Sequence, residues 1–140
     1  MKYSVLEIAK YIITYCEDSN APISNLKLQQ ILYFLQAEYY KTQHKPIFDE
    51  DICAWKFGPV VPDVYYEFCY YGGSSIIAQY TTTLDEKDKE IINSITDKLK
   101  NIPVWKLIQE TNASETPWAT IFNTYGDRAI IPQHIFKQFF

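Results

Sequence analysis

The chain has 140 residues, 47% of them hydrophobic and 21% charged, with a formal net charge of −4. That length suits one domain over residues 1–140, which buries roughly two thirds of the extended chain's surface in a core that needs no disulfide or metal staple. The balance excludes a disordered chain, no apolar run reaches the ~18 residues of a membrane span, and a single arginine with no basic block argues against direct nucleic-acid binding.

Val5, Ile8, Ala9, Ile12, Ile13 and Cys16 fall on one helical stripe. Ser4 with Glu7 three residues on has the form of a capping box, so the first helix spans 5–17. Glu7 and Lys10 within the stripe, and no small-residue cleavage site, mark an amphipathic helix and not a signal peptide. Ser24 caps a second helix over about 25–42. Leu28, Ile31, Leu32, Leu35 and Tyr39 form its stripe, widened by Tyr33, Phe34, Ala37 and Tyr40. Such a helix is central to the core or shows one face to a partner. Residues 52–57 predict a strand stopped by Gly58-Pro59. Pro62 and Asp63 open a third helix over 62–71, ended by Gly72-Gly73. Residues 76–83 are β-branched, either a strand or an extended link. Asp85 caps a fourth helix to about Asn101, with its stripe at Ile91, Ile92, Ile95 and Leu99. Pro103 opens a fifth through Glu110, and Thr116-Pro117-Trp118 a sixth ending at Gly126. Residues 128–131 are a short strand candidate, and Pro132 opens a last helical turn to Phe140. The expected fold is mainly α: a compact bundle of five to six helices with a small two-stranded β element.

Little supports catalysis. His44 and His134 have no partner at metal-ligand spacing. Asp49-Glu50-Asp51 could turn Asp49 and Asp51 toward a divalent ion, but no glycine-spaced calcium loop follows. The four glycines are too scattered to cradle phosphate. Nothing local activates Cys53 or Cys69 as a nucleophile. With no CxxC pair, Cys16, Cys53 and Cys69 read as small buried hydrophobes in a reducing cytoplasm. No catalytic residue, metal ligand or cofactor is assigned, and the expectation is a non-enzyme that acts by binding.

Aromatics make up 16% of the chain, and ten of the twelve tyrosines lie in the first 71 residues. The segment from Trp55-Lys56-Phe57-Gly58-Pro59 to Tyr65 reads as a rigid strand–turn–helix corner. Such corners make binding platforms because little side-chain entropy is lost on contact. The competing reading is that Trp55 and Phe57, two apart on a strand, share one face and both point into the core.

Three blocks carry a resemblance over nearly the whole chain. The first is Ile23-Ser24-Asn25-Leu26-Lys27-Leu28-Gln29-Gln30-Ile31-Leu32-Tyr33-Phe34, continued by Gln36-Ala37. The second is Pro46-Ile47-Phe48-Asp49-Glu50 with Ala54-Trp55-Lys56-Phe57-Gly58-Pro59-Val60-Val61-Pro62-Asp63-Val64-Tyr65. The third is Thr111 with Pro117-Trp118. Together they resemble the motifs of the Panacea domain family, the SocA-like antitoxins with prophage GepA-like members. Asn112 stands where the family often has histidine, so no role of that histidine carries over. Lys27, Leu28, Gln29, Tyr33, Trp55, Gly58, Pro59, Val60, Pro62, Tyr65, Pro117 and Trp118 match motif positions and are expected to be structural.

The resemblance implies an antitoxin that neutralises a cognate toxin by direct binding, with presentation to a ClpXP-type protease as one route. Candidate contacts are Tyr39 and Tyr40 on the second helix, Lys56 and Tyr65 at the corner, and Tyr66, Tyr70 and Tyr71 on the third helix. Tyr66 and Tyr70 are four apart and share a helix face. For each tyrosine the competing reading is partial burial with a wet hydroxyl. The alternative function is a prophage-associated regulatory or adaptor module with no toxin partner.

Overall fold

A computed structural model describes residues 3–113 and 115–139. Along the chain come α1 (Val5–Asp18), α2 (Asn25–Gln43), β1 (Ile52–Trp55), β2 (Gly58–Val60) and α3 (Pro62–Phe68), which runs into a 3₁₀ turn (Cys69–Tyr71). Then follow α4 (Glu86–Leu99), α5 (Val104–Asn112), α6 (Pro117–Tyr125), β3 (Ala129–Ile131) and α7 (Gln133–Phe139). The fold is mainly α, as the periodicity predicts. It has seven helices among the described residues where five to six were expected, and a third strand joins the expected two. Phe140, the expected end of the last turn, lies outside the described residues.

The α1 stripe is buried at all six positions. Ser4 Oγ accepts from the Glu7 N–H at 3.1 Å, but the capping box is half formed. The Glu7 carboxylate instead accepts from the Thr83 N–H at 3.1 Å and so holds the 76–83 segment against α1. That segment is the extended link of the two alternatives: Ile76 N–H donates to the Ile23 carbonyl at 2.8 Å, and Tyr80 N–H to Thr14 Oγ1 at 2.9 Å.

Helix α2 runs through the middle of the molecule and packs against α4, α5, α7, α1 and the sheet. Asn25, Lys27, Gln29, Gln30 and Gln36 are buried along with its apolar residues. Each of these polar side chains has a partner: Lys27 Nζ, for instance, donates to the Lys100 carbonyl at 3.0 Å, and burial lowers its pKa. Gln36 Nε2 donates to the Phe48 carbonyl at 2.9 Å and its Oε1 accepts from the Ile47 N–H at 2.9 Å, which fixes the Pro46-Ile47-Phe48 loop.

The sheet is antiparallel, in the order β2-β1-β3. Trp55 pairs with Gly58, so Lys56 and Phe57 form a two-residue turn. Pro59 sits on an edge strand, where a missing N–H is tolerated. Ile52, Ala54 and Ile131 join the main core, whereas Cys53, Trp55 and Val60 form a second small cluster, with Tyr65 packed against it.

A hydrogen-bonded seam closes α1 and α2 on α4. The Tyr3 and Tyr39 hydroxyls both donate to Asp88, at 2.7 and 2.9 Å. Tyr11 donates to Asn93 at 2.8 Å and Tyr15 to Asp97 at 2.9 Å. Lys89 and Lys100 lie over the rings of Tyr11 and Tyr15. Asp85 occupies the N-cap of α4 by backbone conformation, without a side-chain cap bond.

Candidate protein-binding surface

The buried amides of α2 place the corner. Gln29 Oε1 accepts from the Val61 N–H at 2.8 Å, and its Nε2 donates to Asn25 Oδ1 at 2.9 Å. Asn25 Nδ2 in turn donates to the Tyr65 carbonyl at 3.0 Å. This chain of amides satisfies main-chain groups on both sides of the turn into α3. Pro62 supplies the first residue of that helix, where its fixed φ suits the helix and no N–H is missed.

Gly58 has φ +128°, and a Cβ there would come within 2.8 Å of Gln30 Nε2. Only glycine fits that turn beside α2. From the far side, Trp118 Nε1 donates to the Trp55 carbonyl at 2.8 Å, and Tyr33 Oη accepts from the Trp118 N–H at 3.1 Å. Burial pushes the Tyr33 hydroxyl up to about 12. Thr116 caps α6 by accepting from the Ala119 N–H, with Pro117 at its start. Gln29, Tyr33, Gly58, Pro62 and Trp118 thus hold the main chain of the corner from both sides.

On that frame the Trp55 ring is buried, covered by Tyr65 at 5.1 Å, Tyr66 at 6.1 Å and the Arg128 guanidinium at 4.2 Å. Outside it the surface is aromatic: Phe57 is 48%, Tyr66 57% and Tyr70 93% exposed. Beside it runs a groove of about 360 Å³ lined by Leu26, Phe57, Tyr65, Cys69 and Val104. Among the described residues, no hydrogen bond reaches the hydroxyls of Tyr65, Tyr66, Tyr70 or Tyr71.

Tyr66, Tyr70 and Lys56 are exposed, Tyr65 and Tyr71 half-buried. Tyr39 and Tyr40 are not exposed: both rings are in the core. Tyr39 is tied to Asp88, and Tyr40 donates to Gln133 Oε1 at 3.1 Å and stacks on Phe136. A central helix leaves no free face at those positions. Phe57 does not share the core face of Trp55, because the strand ends at Trp55 and alternation ends with it. Cys69 is exposed, unlike Cys16 and Cys53. It follows Phe68, the last buried residue of the Val64, Phe68 stripe, and turns outward. Arg128 and Leu26 were not among the candidate contacts read from the sequence; an isolated arginine after a turn carries no pattern.

No group of three or more His, Cys, Asp or Glu among the described residues is placed to hold a metal. No helix among them is long and apolar enough to cross a membrane. His44 ends α2 in a left-handed, exposed conformation. What the corner offers is an aromatic contact surface on a rigid support.

The family described as antitoxin SocA-like, Panacea domain, matches residues 28–119, and the chain belongs to it. The matched region runs from α2 into α6 and includes the segment from Trp55 to Tyr70, while Asn25, Leu26 and Arg128 lie outside it. Antitoxin SocA of Caulobacter vibrioides is 28% identical over 132 residues, covering 85% of this chain and 70% of that protein. No solved structure matches the chain.

Proposed function

We propose that this protein is the antitoxin of a toxin–antitoxin pair and neutralises its toxin by binding it at the Trp55 corner, in the cytoplasm and without chemistry of its own. The observation that carries this is the exposed Phe57, Tyr66 and Tyr70 set beside an apolar groove, in a chain of this family. Aromatic side chains on a rigid support lose little entropy on docking and recur among interface hot spots.

The test is co-expression with the adjacent gene. The wild type should restore growth and co-purify with the neighbour's product, and Tyr66→Ala/Tyr70→Ala should lose both at unchanged expression. Undiminished rescue by the double variant would remove that face from the interface. Delivery to a ClpXP-type protease is the finer form of the proposal. It requires the toxin's half-life to shorten when the antitoxin is present and to recover in a strain lacking the protease. A gene without a toxic neighbour would favour the regulatory or adaptor alternative.

A further inference from the structure

Arg128 is the chain's one arginine, and it sits in an unusual backbone position. Its φ is +71°, a left-handed conformation that a side-chain-bearing residue adopts at a cost and that glycine adopts freely. Its N–H donates to the Ala54 carbonyl at 2.7 Å, which continues the β1–β3 ladder one step past the Ala54 and Ala129 pair. Arg128 is thereby set opposite Trp55, and the guanidinium lies 4.2 Å from the centre of that ring. The side chain is exposed, and among the described residues no carboxylate or carbonyl pairs with the guanidinium. The neighbouring Asp127 carboxylate does not serve it: Asp127 Oδ1 accepts from the Lys56 N–H at 2.8 Å.

A strained backbone, an aromatic ring under the guanidinium and an unused fork of donors form one device. Stacking fixes a side chain that would otherwise lose several rotors on binding, and it leaves the planar edge free to accept two oxygens. We propose that Arg128 is the charged anchor of the corner and takes a carboxylate side chain of the protein partner in a bidentate pair, beside the aromatic contacts of Tyr66. One guanidinium in a chain of net charge −4 suits a singly charged planar carboxylate. This inference rests on the toxin-binding reading above.

The experiment uses the full chain and the purified product of the adjacent gene. Arg128→Gly removes the fork and relieves the backbone, so its melting temperature should equal or exceed that of the wild type, while affinity falls about tenfold or more. Arg128→Lys, which keeps the charge but not the planar fork, should weaken binding as well. A double-mutant cycle against each partner Asp→Asn and Glu→Gln should find one carboxylate whose loss weakens the wild type by a similar factor and leaves Arg128→Gly unchanged. The inference is overturned if Arg128→Gly binds at wild-type affinity in a complex that Tyr66→Ala/Tyr70→Ala disrupts. It is overturned equally if no partner carboxylate couples, or if Arg128→Gly melts several degrees lower, which would make the residue a structural support. If the wild type forms no complex at all, the toxin-binding reading fails and this inference with it.

Discussion

Tyr39 and Tyr70 are the same side chain at two extremes. Tyr39 is 6% exposed, with its hydroxyl on Asp88; Tyr70 is 93% exposed and its hydroxyl has no partner among the described residues. The contrast extends to their surroundings. In the seam of α1, α2 and α4, the hydroxyls of Tyr3, Tyr11, Tyr15 and Tyr39 each meet a carboxylate or amide on α4. At the corner, Trp55, Tyr65 and Tyr66 meet ring to ring, with no hydroxyl engaged. Aromatic content alone therefore says nothing about binding. What separates a structural tyrosine from an available one is whether its polar tip is satisfied within the chain.

Substitutions should separate the two regions by size of effect. Tyr39→Ala empties a buried ring site and removes one of the two hydroxyls that donate to Asp88, and should cost about 3–5 kcal/mol in denaturant unfolding. A loss below about 1 kcal/mol would place Tyr39 outside the frame. Gly58→Ala combines a forbidden φ with a clash against Gln30, and should cost about 1–3 kcal/mol while loosening the corner, read as faster hydrogen exchange at Val61.

The seam should also carry a pH dependence. Burial, followed by the bond to Asp97, pushes the Tyr15 hydroxyl up to about 12. The folded value is raised, so its contribution is intact below the free phenol value of about 10 and is lost as pH rises toward the folded one. Asp97 shows the opposite edge: the Lys100 ammonium, then the Tyr15 hydroxyl, hold its pKa below the usual carboxylate range. Its contribution is present above about pH 4 and is lost as pH falls through the folded value. Melting curves of Tyr15→Phe should differ from those of the wild type at neutral pH and converge with them by about pH 12. A gap that persists unchanged at high pH would show that the hydroxyl titrates normally.

The smallest stability effect belongs to Tyr70→Ala, within about 0.5 kcal/mol of the wild type by thermal melting. A larger loss would move Tyr70 from the contact surface to the frame.

Most of the helices were legible from sequence because apolar spacing reports burial directly, as in Val5 to Cys16 on α1. Two kinds of information were not. The partners of the seam tyrosines are remote: Tyr15 and Asp97 are 82 residues apart, and Tyr40 and Gln133 are 93. No local pattern distinguishes a hydroxyl that finds a carboxylate from one that stays in water. The polar positions of α2 hide for a similar reason. Gln29 and Gln36 count as hydrophilic in any periodicity, yet both are 1% exposed and bonded to main-chain groups outside their helix, 32 and 12 residues away. Phe57 shows a third limit, since alternation predicts a face only while the strand lasts. Of the candidate contacts, Lys56, Tyr66 and Tyr70 are exposed, but the sequence left burial open for each tyrosine, because aromatic content and spacing do not report which face meets solvent. The burial of Tyr39 and Tyr40 required knowing what packs around α2.

The sheet pairs residues 52–54 with residues 129–131, and Trp118 supports the Trp55 carbonyl from 63 residues away. A ribosome makes these pieces in order, so α1, α2 and the first hairpin are complete long before their supports exist. Non-local pairings of this kind form late. A nascent chain that has reached residue 110 thus displays Trp55 without Arg128 over its ring and without α6 behind it. A chain released early would carry the sequence of the corner but not its shape, and translational completeness becomes a condition for any partner to be held.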